Sequence, residues 1–225
     1  MFRKIFISAI IAATAAMATS GALAASISFD LNIEFSGAQA PGGPGPWANV
    51  TFTDTGAGQV TATFVPMFVV STENISGWYF NVADAFAGNL TFGPAMKTGV
   101  FDTPTFSQGL DAFKADGDGF YDNLLGFTTG GNASKVFNVG DTLSFTMTSS
   151  VSGLDATDFN LLSKDAGGHG PFFTAAHVQN TTGQGTGGSG WIAPGTPNVP
   201  DAGSTAMLLG AALTGLAVVR RFIKR

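Results

Sequence analysis

Strict alternation of apolar and polar side chains over residues 26–35 is the feature that most constrains how this 225-residue chain can fold. The apolar positions are Ile27, Phe29, Leu31, Ile33 and Phe35, and the polar positions are Ser28, Asp30, Asn32 and Glu34. Successive side chains of a β-strand point to opposite faces of the sheet, so this pattern predicts a strand with one buried face. A Pro-Gly-rich break over residues 41–46 excludes both a helix and an inner strand at that point.

Further short segments of the same kind follow, separated by glycine-containing turns. They are residues 49–54, 59–70, 77–83, 89–92, 123–128, 141–150, 159–163 and 174–179. The 31 glycines and 21 phenylalanines fit many short strands, and no stretch of the body has the period of an amphipathic helix. We therefore predict an all-β body over residues 26–193, an antiparallel β-sandwich of jelly-roll or immunoglobulin-like type. Pro66 predicts a bulge, an edge or a break in the longest segment.

Charge is distributed unevenly between the body and the two ends. Residues 26–198 hold four lysines against fourteen carboxylates, whereas the other six basic residues lie in the terminal segments. This acidic balance excludes nucleic-acid binding, which needs a basic face to displace counterions. It fits an acidic, soluble domain outside the cell, or one that takes up cations. Because the chain has no cysteine, a disulfide scaffold, a thiol nucleophile and a cysteine metal site are excluded as well.

The first 25 residues have the three parts of a secretory signal peptide. A basic start, Arg3-Lys4, precedes an apolar run over residues 5–18, and mostly small residues fill positions 19–25. A buried N-terminal helix is the alternative, but such a helix does not require these three parts in this order. Residues 1–25 are therefore predicted to direct export and to be removed after Ala24 or Ala25.

An apolar run over residues 206–219 is followed directly by a basic cluster. The basic residues are Arg220, Arg221, Lys224 and Arg225. A helix that starts at residue 203 would carry about 25 Å of apolar length, short of the roughly 30 Å hydrocarbon core. We predict a transmembrane helix with a basic cytoplasmic tail over residues 203–225, a marginal span that suits a temporary anchor. A buried core helix is the alternative, but such a helix shows a polar stripe that this segment lacks.

The segment that leads into this helix reads Val199, Pro200, Asp201, Ala202, Gly203. Together with the apolar run and the arginine cluster, it resembles the sorting tail of the PEP-CTERM class in its Val-Pro-Asp-Ser-Gly (VPDSG-CTERM) variant, with Ala202 where that variant has serine. The resemblance implies export through the Sec translocon, an intermediate in the inner membrane, and cleavage near Pro200 by an exosortase. It also implies a bacterium that makes extracellular polysaccharide, and a final place at the cell surface or outside the cell. Residues 194–202 are then the linker that carries the motif.

An acidic segment contains the strongest metal-binding pattern in the chain. It reads Asp116, Gly117, Asp118, Gly119, Phe120, Tyr121, Asp122. Calcium loops place carboxylates at alternating positions of a glycine-containing turn, so that several oxygens and a main-chain carbonyl face one ion. Asp116, Asp118 and Asp122, the Phe120 carbonyl and, as a further candidate, Asp111 match part of this pattern. The alternative is an acidic turn whose aspartates cap backbone amides.

The remaining motifs carry no recognisable catalytic chemistry. His169 and His177 lack neighbouring acidic ligands, and their surroundings favour a loop tip and a strand position respectively. No Gly-x-Ser-x-Gly elbow or phosphate-binding glycine loop is present, so we predict that the protein is not an enzyme. Five Asn-x-Ser/Thr sequences begin at Asn49, Asn74, Asn89, Asn132 and Asn180. In a bacterium these sequences favour turn and strand chemistry.

Two tryptophans in glycine- and proline-rich surroundings, Trp47 and Trp191, are candidates for exposed platforms that stack on sugars. Our first functional hypothesis is a non-enzymatic exported component of the cell surface or of the extracellular polysaccharide matrix, with exopolysaccharide as a candidate partner. The alternative is a carbohydrate-binding or carbohydrate-processing β-sandwich domain.

Overall fold

The computed structural model describes residues 24–195, apart from residues 117, 118, 131 and 133. The predicted sorting motif, the predicted transmembrane helix and all but the last two residues of the predicted signal peptide lie outside the described residues. Among the described residues, no helix is long and apolar enough to cross a membrane. The structure therefore describes the body and not the two terminal segments.

The described part of the chain contains fourteen strands and one short 3₁₀ helix. The strands are β1 (Ser26–Leu31), β2 (Ile33–Glu34), β3 (Ala48–Gly56), β4 (Gln59–Pro66), β5 (Asn74–Phe80), β6 (Leu90–Phe92), β7 (Met96–Thr98), β8 (Thr105–Lys114), β9 (Gly119–Gly126), β10 (Phe137–Asn138), β11 (Thr142–Ser149), β12 (Lys164–Asp165), β13 (Thr174–Gln179) and β14 (Ser189–Ala193). The 3₁₀ helix covers Ala156–Phe159 and begins at a capping box formed by Asp155 and Asp158. The prediction of an all-β body is confirmed.

These strands form two sheets within the described residues. The first sheet has the order β1-β3-β4-β11-β6, with β7 also paired to β11. The second has the order β12-β9-β5-β13-β14-β2, with β10 paired to β5 and β8 paired to β9. Every pairing that the structure describes is antiparallel, as predicted. Several partners are distant in sequence, such as β4 with β11 and β5 with β13, so long-range pairing determines the architecture.

Aromatic rings fill the space between the two sheets. Phe64 of β4 lies edge-on to Trp78 of β5, with ring centroids 5.1 Å apart, and stacks on Phe145 of β11 at 5.6 Å. Phe52 of β3 stacks on Phe159 of the 3₁₀ helix at 4.5 Å. Burial of each such side chain contributes about 1.5–3 kcal/mol, and edge-on or offset contacts between rings add to this. The face-to-face packing of two antiparallel sheets across this core fits a β-sandwich.

The strand predicted over residues 26–35 is divided between the two sheets. Strand β1 pairs with β3 in the first sheet, whereas β2 pairs with β14 in the second. The chain changes sheet at Asn32, whose amide donates to the Ala193 carbonyl at 3.0 Å. Leu31 packs in the main core and Phe35 in a second cluster, so one alternating segment serves two separate apolar clusters.

Four strands of the second sheet, β8, β10, β12 and β14, lie outside the segments that the sequence pattern predicts. The strand predicted over residues 159–163 is wrong, because Phe159 ends the 3₁₀ helix and residues 160–163 form no strand. Strand β8 has no buried residue, so its side chains show no apolar alternation. Strand β14 lies in the glycine-rich segment that precedes the predicted linker, yet it is paired with β13 on one side and β2 on the other. Pro66 is the last residue of β4, in agreement with the break predicted there.

Candidate functional site

The predicted processing site lies beyond the described chain. The motif residues Val199, Pro200, Asp201, Ala202 and Gly203 and the basic residues Arg220, Arg221, Lys224 and Arg225 are outside the described residues. The described chain ends at Gly195, whose amide donates to the Asn32 side-chain oxygen at 2.7 Å. Because β14 is hydrogen-bonded on both sides, the tail leaves the body from a firmly held strand, next to the point where β1 and β2 separate.

Trp47 is not the exposed platform that its surroundings predict. Its side chain is 8% exposed and packs in the main core, and its indole N–H donates to the Gly43 carbonyl at 3.2 Å. Its backbone amide donates to the Leu31 carbonyl at 2.9 Å, and its carbonyl accepts from the Met67 amide at 2.7 Å. The Pro-Gly-rich break therefore lies against the sandwich and supplies the polar partner that a buried indole needs. The prediction that Trp47 is exposed is wrong, because its burial depends on other segments of the chain and not on the composition of its immediate surroundings.

A second apolar cluster lies on the outer face of the second sheet. In β13, Ala176 packs in the main core and Ala175 packs in this second cluster, and neighbouring residues of a strand face opposite sides of a sheet. The cluster also includes Phe35, Tyr79, Tyr121, Phe172 and Trp191. The outer faces of a sandwich are ordinarily polar, so aromatic residues at this position call for a functional or packing explanation.

Trp191, His177 and Tyr79 form what we call the outer aromatic group. Trp191 stacks on His177, with ring centroids 4.6 Å apart and planes 20° apart, and its centroid lies 5.2 Å from that of Tyr79. All three side chains are partly exposed. Trp191 therefore remains a candidate glycan contact, whereas Trp47 does not.

A glycine makes room for the Tyr79 ring. Gly77 of β5 pairs with His177 on one side and with Gly126 of β9 on the other. A Cβ atom at Gly77 would lie 3.1 Å from Cε2 of Tyr79, so the ring lies over the glycine. Burial raises the pKa of Tyr79 above its ordinary value. The hydroxyl is therefore protonated at neutral pH and is available as an uncharged hydrogen-bonding group.

His177 is held by polar neighbours at a β-bulge. The pairing of β13 with β5 shifts register directly after His177, which places Ser76 in the bulge. The Ser76 hydroxyl lies 2.9 Å from Nδ1 of His177, and the Gln179 side-chain nitrogen lies 3.3 Å from the same atom. Burial lowers the pKa of His177, and the nearby charge of Asp116 offsets part of this effect. The ring is therefore neutral at neutral pH, which favours an uncharged polar partner over an anion. His169 is exposed in the loop before β13.

The segment predicted to bind calcium is spread along the hairpin between β8 and β9. Asp116 is exposed at the end of the hairpin, Asp118 lies outside the described residues, and Phe120 and Asp122 lie within β9. Phe120 stands between lysines of the two neighbouring strands, which is an unfavourable setting for a cation. Among the described residues, no group of three or more histidine, cysteine, aspartate or glutamate side chains is arranged to hold a metal ion. Calcium binding at the hairpin end stays a prediction.

Asp122 caps backbone amides, which is the alternative that the sequence left open. Its Oδ1 accepts from the Asp111 amide at 2.9 Å and its Oδ2 accepts from the Val82 amide at 3.1 Å. Burial raises the pKa of Asp122, the two amide bonds counteract this, and the charges of Asp111 and Asp84 raise it further. Asp111 itself forms an ion pair with Lys164 at 2.6 Å. Both carboxylates therefore have structural partners.

A polar pocket that the sequence interpretation missed lies at one end of the second sheet. Its volume is about 350 Å³, and it is lined by Ser71, Thr72, Asn74, Thr129, Asn132, Val136, Asn138 and Asn180. We call it the asparagine pocket. Asn74, Asn132 and Asn180 each begin an Asn-x-Ser/Thr sequence, a local pattern that by itself favours turn and strand chemistry. What it could not show is that the three converge.

The amide groups of this pocket are oriented by the main chain of residues 71–72. The side-chain nitrogens of Asn74 and Asn180 both donate to the Thr72 carbonyl, at 3.2 and 3.3 Å. The side-chain nitrogen of Asn138 donates to the Ser71 carbonyl at 3.4 Å. Asn74 is 1% exposed, and its side-chain oxygen has no hydrogen-bond partner among the described residues.

Comparison with known proteins concerns the tail. The VPDSG-CTERM motif matches residues 198–222, so the chain carries this sorting motif, as its resemblance implied. The motif implies a secreted surface protein that is targeted to an exosortase after export and a membrane-associated sorting step. No curated protein and no solved structure matches the chain.

Proposed function

Because the tail carries the VPDSG-CTERM motif, we propose that this protein is a non-enzymatic component of the bacterial cell surface or of the extracellular polysaccharide matrix. In this proposal the Sec translocon exports the chain, and residues 203–225 hold it in the inner membrane as an intermediate. An exosortase then cleaves near Pro200. The mature protein is the β-sandwich body, without either hydrophobic end. The motif at residues 198–222 is the observation that carries the proposal.

The short linker supports a body that is held close to the membrane until cleavage. An extended chain spans at most about 3.6 Å per residue, so Pro200 lies within roughly 18 Å of Gly195. Gly195 is in turn bonded to Asn32, at the end of the sandwich where β14 meets β2. The exosortase would therefore meet this end of the body together with the motif.

The charge of the body supports release after cleavage. Its fourteen carboxylates against four lysines keep the domain soluble and repel anionic lipid headgroups. A basic body would instead be attracted to those headgroups.

Cell fractionation tests this proposal. Deletion of residues 199–225 is expected to move the protein out of the envelope and surface fraction of its host. A matched variant with alanine at residues 199–203 keeps the apolar run and the basic cluster, and is expected to accumulate uncleaved in the inner membrane. If the truncated chain stays in the same envelope fraction as the intact chain, the proposal is wrong.

A second candidate function, carbohydrate binding by the body, is favoured by the outer aromatic group. Trp191 and Tyr79 offer partly exposed ring surface to the C–H faces of a sugar, and His177 offers an uncharged polar edge. Carbohydrate processing would need two carboxylates opposed across a cleft. Asp111 is paired with Lys164, and Asp122 accepts from backbone amides. We therefore propose carbohydrate binding, and not carbohydrate processing, as the second candidate function. Glycan binding that survives Trp191→Ala would exclude the outer aromatic group as its site.

A further inference from the structure

We propose that the asparagine pocket binds a neutral sugar residue of a polysaccharide. The choice of a polysaccharide among neutral polyhydroxylated ligands rests on the proposed function at the cell surface. The pocket itself is argued from its own lining residues. It is distinct from the outer aromatic group, whose residues do not line it.

The lining of the pocket favours a neutral, polar ligand. None of the described residues that line it is charged, so an anion finds no basic partner there and a cation finds no carboxylate. Four carboxamides and three hydroxyl groups offer both donors and acceptors, which makes the site unsuited to a lipid chain. A carboxamide can accept from one sugar hydroxyl and donate to the next. A ligand rich in neighbouring hydroxyl groups is therefore the best chemical match.

The size of the pocket fits a small part of a glycan. Its volume of about 350 Å³ is at the lower end of the range for ligand pockets, so it would take a terminal or branch residue and not an extended chain. Val136 is the apolar member of the lining and would face the C–H groups of the ring.

The side-chain oxygen of Asn74 is the strongest indication of a ligand. It is buried without a hydrogen-bond partner among the described residues, a condition that costs about 1–3 kcal/mol. Rotating the amide would lose the bond from its nitrogen to the Thr72 carbonyl, so this bond fixes which atom is the free acceptor. Asn74 lines the pocket, so a hydroxyl group that enters it and displaces the atoms covering this oxygen would supply the missing donor.

The polar groups are held on paired strands, as a binding site requires. Asn74 is the first residue of β5, and it pairs with Asn138 of β10 on one side and with Gln179 of β13 on the other. Asn180 follows directly after β13 and has φ of +57°, a left-handed conformation that asparagine tolerates. Asn138, which pairs with Asn74, and Asn180, which follows Gln179, thus hold their carboxamides at the pocket before any ligand binds.

Calorimetric titration of the full chain tests the inference, in a detergent that has no sugar headgroup. The probes are malto-, cello- and manno-oligosaccharides as neutral glycans and an oligogalacturonate as an acidic one. We expect a neutral glycan to bind. Asn180→Gly should weaken its affinity about tenfold, because a hydrogen-bonding carboxamide is lost while glycine retains the left-handed backbone. Thr129→Val, which removes an exposed hydroxyl at the pocket, should act in the same direction.

Asn160→Ala is the matched control, since Asn160 is exposed and does not line the pocket. It should bind as the unchanged chain does. The inference is overturned if no neutral glycan binds, if the oligogalacturonate binds more tightly, or if Asn180→Gly and Thr129→Val both retain full affinity. The inference is also overturned if Trp191→Ala loses affinity while Asn180→Gly and Thr129→Val retain it, since the glycan would then bind at the outer aromatic group. Glycan affinity is measured on purified protein, whereas sorting is measured by cell fractionation. A negative result for glycan binding therefore leaves the proposed sorting route untouched, and a negative result for sorting leaves the binding measurement untouched.

Discussion

The carboxylate of Glu73 accepts hydrogen bonds from both the amide and the hydroxyl of Thr182, each at 2.9 Å. The same oxygen accepts from the Gly42 amide at 2.7 Å, and the side chain is fully buried. One oxygen atom therefore joins the Pro-Gly-rich break, the turn before β5 and the loop after β13. A buried carboxylate needs such bonds to offset its loss of hydration.

Glu73→Ala is expected to destabilise the fold by about 3 kcal/mol, because the buried amide of Gly42 and the partly buried amide of Thr182 lose their acceptor. Urea denaturation measures the change. Glu73→Gln keeps an acceptor oxygen of the same shape and should cost clearly less. If both variants lose the same free energy of unfolding, the hydrogen bonds to Gly42 and Thr182 are not the source of the stability that Glu73 provides.

Trp47→Ala is expected to cost about 3–5 kcal/mol, as for other large side chains removed from a core. Trp191→Ala should cost less, because Trp191 is partly exposed on the outer face. Thermal and urea unfolding of both variants measure the difference. The reverse order would contradict the burial of Trp47. Trp47→Phe keeps most of the ring but loses the bond to Gly43, so its stability should fall between that of the intact chain and that of Trp47→Ala.

Gly99→Ala is expected to be among the most destabilising small substitutions in the body. Gly99 has φ of +91°, and a Cβ atom there would lie 1.9 Å from Oδ1 of Asp141. Gly140→Ala is the matched control, since φ is +90° but no atom lies within 4 Å of the added carbon. The control should lose roughly 1–2 kcal/mol from backbone strain, and Gly99→Ala should lose more. Urea midpoints that coincide would show that the contact with Asp141 relaxes without cost.

Acidification is expected to weaken folding through His177. Burial lowers its pKa below the ordinary value, so the folded state favours the neutral ring. The contribution is fully present above about pH 6.5 and is lost as the pH falls through the lowered pKa of the folded state. Urea midpoints measured from pH 7.5 to pH 5 should fall more steeply for the intact chain than for His177→Gln. Parallel curves would contradict the prediction.

Asp122 and Asp158 change the pH dependence of stability in the opposite direction, because they stabilise the folded state at low pH. Burial raises the pKa of both groups above their ordinary value, so the folded state favours their protonated forms. Their contribution is present below about pH 4 and is lost as the pH rises through their raised pKa values. The effect of His177 is therefore isolated by the comparison with His177→Gln at each pH, because both proteins keep Asp122 and Asp158.

Calcium binding at the hairpin end predicts a rise in the melting temperature of the full chain when calcium is added, because a ligand that binds the folded state stabilises it. Asp118→Ala should abolish the rise, whereas Asp165→Asn, an exposed acid outside the predicted loop, should retain it. An unchanged melting temperature with millimolar calcium would reject the site.

Much of the fold class could be predicted because strand formation leaves a local signal. Alternation at β1, β4 and β11 places apolar side chains on one face, and a single segment is enough to show it. The partition of residues 26–35 between two sheets could not be predicted, since it depends on β3 and β14, which lie far along the chain. Strand β8 has no buried face and so leaves no such signal.

The candidate sites likewise separate into those that a local sequence predicts and those that only the tertiary structure shows. The sorting motif is a contiguous segment that is read as a linear sequence, so the sequence by itself determined the tail, the acidic charge of the body and its all-β class. Only the tertiary structure decided that Trp47 is buried while Trp191 is partly exposed, and that Asn74 and Asn180 meet at one pocket. The physical reason is that burial and convergence depend on contacts between separate segments of the chain, such as those of Trp47 with Leu31 and Met67 and of Asn180 with Thr72. No local pattern of side chains specifies those contacts.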